Sequence, residues 1–189
     1  SKIMFNILVV EDDKNLKKTF SNFAKGIRLL AAFVTLLLPG LYMAITSFHQ
    51  EILPTELLFS ILASRENVPF PVLVELLTLE ISFELIREAG LRVPSPIGPT
   101  IGIVGAIVMG QAAVSAGIVS PILIIIVAIT GTASFAIPDY SFGFHLRVSR
   151  FIFIFLGYLC GFLGIALGLF VYMCMISNSK SFGVPYTIN

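Results

Sequence analysis

Residues 87–121 constrain this chain more than any other stretch. They read REAGLRVPSPIGPTIGIVGAIVMGQAAVSAGIVSP. A charged end, Arg87 and Glu88, is followed by a stiff link carrying Pro94, Pro96 and Pro99. An apolar run then continues to Pro121. Within it a small residue recurs at every fourth place: Gly98, Gly102, Ala106 and Gly110. Residues four apart share a helix face, so the spacing predicts a helix over 97–117 with one small-residue ridge. A glycine inside a soluble helix costs roughly 1 kcal/mol relative to alanine. Close approach of a second backbone offsets that cost, and it is how helices associate in lipid, where burying leucine gains nothing.

Composition points the same way. Of 189 residues, 57% are hydrophobic and 12% charged, against roughly 45–50% and about 25% in a soluble domain. The length suits one bundle. A net charge of +1 supplies no basic face for nucleic acid. With no Trp, an interfacial aromatic belt must draw on the five Tyr and the 17 Phe. Cys160 and Cys174 lie in one apolar run, about 21 Å apart on a continuous helix, too far to pair. Their expected role is that of small buried hydrophobes. Asp139, Ser141 and His145 supply triad residue types without a Gly-x-Ser-x-Gly elbow. With no phosphate loop and no clustered ligands, the expectation is a non-enzyme with no catalytic residue, no metal and no cofactor.

The expected fold class is all-α, a polytopic membrane bundle of about four to five spans with interfacial or re-entrant helices. Residues 23–48 form the first span, with Pro39-Gly40 loosening it. Lys14, Lys17 and Lys18 precede it, Lys25 and Arg28 lie in its first turns, and together they place the N-terminus in the cytoplasm by the positive-inside rule. Residues 54–71 hold a short helix with Thr55 as N-cap, too short to cross about 30 Å. Residues 122–137 form another span, and 138–150 a cytoplasmic loop or interfacial helix carrying Arg147 and Arg150. Residues 151–176 are the last span. Gly157, Gly161, Gly164 and Gly168 are predicted to form one packing seam facing one neighbour. The run is long, so it is expected to tilt or to extend past the interface.

Residues 71–89 carry the most telling chemistry: Glu75, Glu80, Glu84, Arg87 and Glu88 in an apolar helix. At 100° per residue, Glu80, Glu84, Arg87 and Glu88 share a face. Glu75, Thr78 and Ser82 form a second polar strip. Glu84 and Arg87 are spaced to pair. Carboxylates in a membrane helix are expensive and should face protein, water or a pore. Two readings stay open: a helix lining an aqueous cation path, or an interfacial helix with a solvated charged face. The candidate pore or gating residues are Glu75, Glu80, Glu84 and Gln111; Glu75 and Glu80 lie deepest in the apolar run and are preferred, and the competing reading of Gln111 is glue between helices. If 71–89 crosses, there are five spans and the tail lies outside; if not, four.

The stretch 87–121, together with LLLPGLYMAITSFHQEILPTELLFSILASRENVPFP before it and SFAIPDYSFG and SFGVPY after it, resembles the membrane domain of spore germinant-receptor A subunits, the GerA family. The resemblance covers about residues 22–186. It implies a multi-pass protein of the endospore inner membrane with a cytoplasmic C-terminus. The implied partners are the lipid bilayer, a permease-like B subunit, a lipoprotein C subunit and further copies of itself. The implied activity is a nutrient-gated ion channel that triggers germination. Alternatives are a non-conducting structural subunit or a truncated, non-functional fragment, because the family's large soluble domain is expected ahead of this part. Residues 5–17, FNILVVEDDKNLK, resemble the first strand and acidic turn of a response-regulator receiver domain. Residues 1–21 are therefore expected to be a fused leader, and 22–189 the membrane domain.

Overall fold

In the computed structural model, residues 18–92, 98–178, 180–181 and 184–185 are described. Residues 5–17 of the expected leader lie outside them, as do the link prolines Pro94 and Pro96. Six helices occur among the described residues: α1 Lys18–Phe48, α2 Thr55–Arg65, α3 Val72–Leu91, α4 Gly98–Ser115, α5 Pro121–Phe135 and α6 Tyr140–Asn178. A 3₁₀ turn, Gln50–Ile52, follows α1. Two-residue strands, Lys180–Ser181 and Val184–Pro185, pair antiparallel after α6. The chain separates into two compact units, one of Ser1–Ala44 with Ala133–Asn189 and one of Ile45–Thr132.

In the first unit, α1 carries Pro39 internally. Its Ala32, Leu36 and Ala44 join Ile137, Leu146, Phe153 and Ile165 in an apolar core. Backbones meet here directly. A Cβ on Gly40 would lie 2.7 Å from the Phe153 carbonyl oxygen, and a Cβ on Gly157 would overlap the Gly40 carbonyl. Residues 138–150 are largely not a loop. Asp139 Oδ1 accepts the Phe142 N–H at 2.7 Å, capping α6, which is helical from Tyr140 onward.

The expected single last span over 151–176 is corrected. Gly161 adopts φ 60°, ψ −142°, a backbone state open to glycine alone. The chain reverses there. On a straight helix Phe153 and Tyr172 would stand about 28 Å apart, yet their ring centroids are 6.1 Å apart, edge to face. The four glycines therefore do not face one neighbour. Gly157 meets α1. Gly164 and Gly168 meet the arm before the turn, where an added Cβ would lie 2.5 Å from the Leu156 carbonyl oxygen and 2.5 Å from Leu156 Cδ1, respectively. Helical periodicity is the same on both sides of a reversal, so sequence spacing could not reveal it. Cys160 and Cys174 are exposed rather than buried, beside exposed Leu159, Leu163, Met173 and Met175.

In the second unit α3 is the hub. It packs along α4. A Cβ on Gly90 would sit 2.7 Å from the Gly98 carbonyl oxygen, and Gly102 faces Ile86 and Arg87. The small-residue ridge does not all serve this contact. Gly105, which lies off the ridge, faces Ile86, while Gly110 faces Ile124 of α5. The Phe83 ring of α3 occupies the space over Gly131 of α5. Helix α2 begins at Thr55 without a side-chain cap, because Pro54 occupies the N-cap position and its carbonyl accepts the Leu58 N–H at 2.9 Å.

Two stretches, Ser21–Phe48 and Tyr140–Ile176, are long and apolar enough to cross a membrane by length and composition. The second contains the reversal at Gly161. Helices α4 and α5 are apolar but shorter, 18 and 15 residues.

Candidate functional site: the charged interior of helix α3

Helix α3 is inside out by the standards of a soluble helix. Its exposed positions include Val74, Ile81 and Leu85, the last 67% accessible. Its buried positions include Glu75, Glu80 and Arg87 alongside Leu76, Leu79 and Phe83. A water-facing helix does the reverse, turning its apolar stripe inward. The expected polar strip of Glu75, Thr78 and Ser82 does not hold together: Thr78 is exposed and Glu75 buried. On the face of Glu80, Glu84, Arg87 and Glu88, Glu88 is exposed and pairs with Arg92 at 3.2 Å, while Glu84 is partly exposed.

Glu75 stands in the first turn of α3, and its side chain is wholly buried. Its two oxygens divide the work. Oε1 accepts from Arg65 Nη2 at 3.0 Å, and Oε2 accepts the Ser120 backbone N–H at 3.0 Å. Local structure delivers both donors. Arg65 is the last residue of α2. Helix α4 ends in a Schellman arrangement: the Ile118 N–H bonds to Ala113 O, the Gly117 N–H bonds to Val114 O, and Gly117 takes φ 66°. That turn brings Ser120 to Glu75. Ser120 Oγ in turn accepts the Leu123 N–H at 3.4 Å, capping α5. One carboxylate thus ties α2, α3 and the start of α5. A buried carboxylate is tolerable only when paired and hydrogen-bonded, and Glu75 is both.

Glu80 lies on the same helix face as Glu84 and Arg87 and has no accessible surface. Glu84 Oε1 stands 3.7 Å from Arg87 Nη1; the arginine side chain is 5% exposed and the glutamate side chain 27%. Gln111 of α4 is exposed, in a row with exposed Val104, Ile107 and Val108. The structure thus sets Glu84 against Arg87 on the helix face that also carries Glu80, gives Glu75 a separate set of partners, and leaves Gln111 exposed. Sequence reading missed Arg65 and Ser120. Arg65 sits in the short polar stretch 64–67, where a charge draws no notice. Ser120 contributes through its backbone, which no residue type announces.

The model of the Bacillus/Clostridium GerA spore germination protein family matches residues 2–189. The chain belongs to the GerA family. It is 51% identical to spore germination protein KA of Bacillus subtilis (strain 168) over 160 residues, covering 85% of this chain and 29% of that protein. It is 44% identical to spore germination protein A1 of the same organism over 185 residues, 97% of this chain and 38% of that protein. An uncharacterized membrane protein of that bacterium, YfkQ, is 42% identical over 182 residues, 96% of this chain and 36% of its own length. The chain therefore spans about three-tenths to two-fifths of the length of these relatives. The GerA match begins at residue 2 and so includes residues 5–17. No solved structure matches the chain.

Proposed function

We propose that this chain is the membrane domain of a spore germinant-receptor A subunit, crossing the inner membrane of the endospore several times. In this reading copies of the subunit associate into an ion channel. Nutrient sensed by a permease-like B subunit, with a lipoprotein C subunit alongside, shifts the helices and opens it. GerA membership supports the assignment to germination. The observation that carries the membrane and ion-path reading is the inverted helix α3, with carboxylates and Arg87 within and Val74, Ile81 and Leu85 without. Such an arrangement suits a lipid exterior and a polar interior.

Glu80 and Glu84 are the better candidates for a cation path. Glu75 already has both oxygens engaged, and its part is to hold the helices in place. Gln111, on an outer face, is available to a second copy. The test is conductance of the chain reconstituted in planar bilayers. Cation-selective currents are expected, with Glu80→Gln and Glu84→Gln lowering cation over anion selectivity several-fold. Currents with unchanged selectivity in both variants would remove those residues from the path. The rival reading is a non-conducting structural subunit, favoured by the saturation of Glu75. A folded, assembled protein that passes no current would establish it.

A further inference from the structure

A cavity of about 180 Å³ opens beside the Glu75 clamp, lined by Thr46, Gln50, Leu53, Leu58, Ile61, Leu62, Arg65 and Val72. It lies wholly within the unit Ile45–Thr132, between the end of α1, the 3₁₀ turn and α2. Five of its lining residues are aliphatic. Its one charge is Arg65. A cavity of about 150 Å³ accepts benzene, so this one has room for about six carbon atoms.

The guanidinium supplies the chemistry. It carries five N–H donors in a planar fork. Arg65 directs Nη2 to Glu75 Oε1 at 3.0 Å, the one ion pair it makes among the described residues. Its side chain remains 19% exposed, and Glu75 is the one hydrogen-bond partner of the guanidinium among the described residues. Gln50 cannot compete for the guanidinium as an ionic partner, and its Nε2 is bound to the Thr46 carbonyl oxygen at 2.7 Å. Glu51, Glu56 and Glu66, on the neighbouring turns, are exposed and do not line the cavity. No carboxylate lines the cavity; the one that reaches Arg65 is Glu75, whose two oxygens are taken by Arg65 and the Ser120 N–H.

We propose that this cavity is a binding site for a small monoanionic amphiphile, an oxyanion head seated on Arg65 with an aliphatic tail of about six carbons among Leu53, Leu58, Ile61 and Leu62. The head belongs either to a free aliphatic carboxylate or to the phosphate of an anionic lipid. A ligand there sits on the same guanidinium that holds Glu75. Occupancy therefore bears on the contact joining α2 to α3. The site stands on its own geometry and does not require that the protein conduct ions.

The probe is hexanoate, with hexanol as its uncharged match, added to the whole chain in phosphatidylcholine nanodiscs and read by saturation-transfer NMR. Hexanoate is expected to bind at least about tenfold more tightly than hexanol, the worth of one charge-assisted contact. Leu62→Trp fills the cavity from a half-exposed position and leaves the Arg65–Glu75 pair in place; it is expected to abolish the saturation transfer. Arg65→Gln is expected to erase the preference for the anion. Nanodiscs containing phosphatidylglycerol separate the sources. Displacement of hexanoate there assigns the head to lipid phosphate, and undiminished binding assigns it to a free carboxylate. Equal binding of hexanoate and hexanol, or binding unchanged in folded Leu62→Trp, overturns the proposal.

Discussion

Both units bring helices close at glycine, Gly90 against Gly98 in one and Gly40 against Gly157 in the other, and only the first is also shown with a buried carboxylate clamp between helices. In the unit Ile45–Thr132 a charged side chain does the tying: Glu75 reaches α2 through Arg65 and the start of α5 through the Ser120 N–H. In the unit that pairs Ser1–Ala44 with Ala133–Asn189, backbone meets backbone at Gly40 and Gly157, and α6 doubles back at Gly161. In the lipid setting proposed for the chain, both devices have a reason to appear. Where hydrophobic burial gives no drive for helix to seek helix, polar pairs and close packing at small residues remain. The polar device is specific and fragile, since removing one partner strands the other. The glycine device is broad and sterically strict, since any added Cβ must displace a carbonyl.

The largest test of this contrast is Glu75→Ala. Removing one member of a buried pair costs about 3–5 kcal/mol, and the lower end is expected because Arg65 retains some solvent access. Thermal unfolding in detergent should show the loss. Amide exchange should rise around Ser120 and α2, while the core at Phe153 stays protected. Gly157→Ala is the converse, with an expected cost of about 2–3 kcal/mol from overpacking against Gly40; protection should fall along α1 and the first arm of α6. Equal loss of protection in both units from either substitution would show that they share one fate.

Ser120→Ala sharpens the division within Glu75's own contacts. It removes the Oγ cap of Leu123 and keeps the backbone N–H that Glu75 uses, so the expected loss is about 1 kcal/mol, confined to the first turn of α5. Arg92→Gln is the smallest. Its partner Glu88 is exposed, and surface pairs contribute at most about 1 kcal/mol; a change below about 0.5 kcal/mol in the same melt is expected. A large effect there would mean that the end of α3 is more enclosed than the exposure of Glu88 and Arg92 indicates.

Much of the helical layout was legible in advance. Residues 23–48, 97–117 and 122–137 correspond closely to α1, α4 and α5, because apolar runs of this length bounded by proline and polar residues read as helices. The tie at Glu75 was half legible. A carboxylate in an apolar helix demands partners, but nothing in the residue order says which. Arg65 lies ten positions away and Ser120 forty-five.

From residue order alone came the helical class and the GerA resemblance. These rest on composition and local periodicity, which are properties of short windows. The three-dimensional arrangement alone decided which charges turn inward on α3, which oxygen of Glu75 takes which donor, and that α6 folds back at Gly161. Those depend on residues far apart in the chain meeting in space, and on a backbone angle that a glycine permits but does not require.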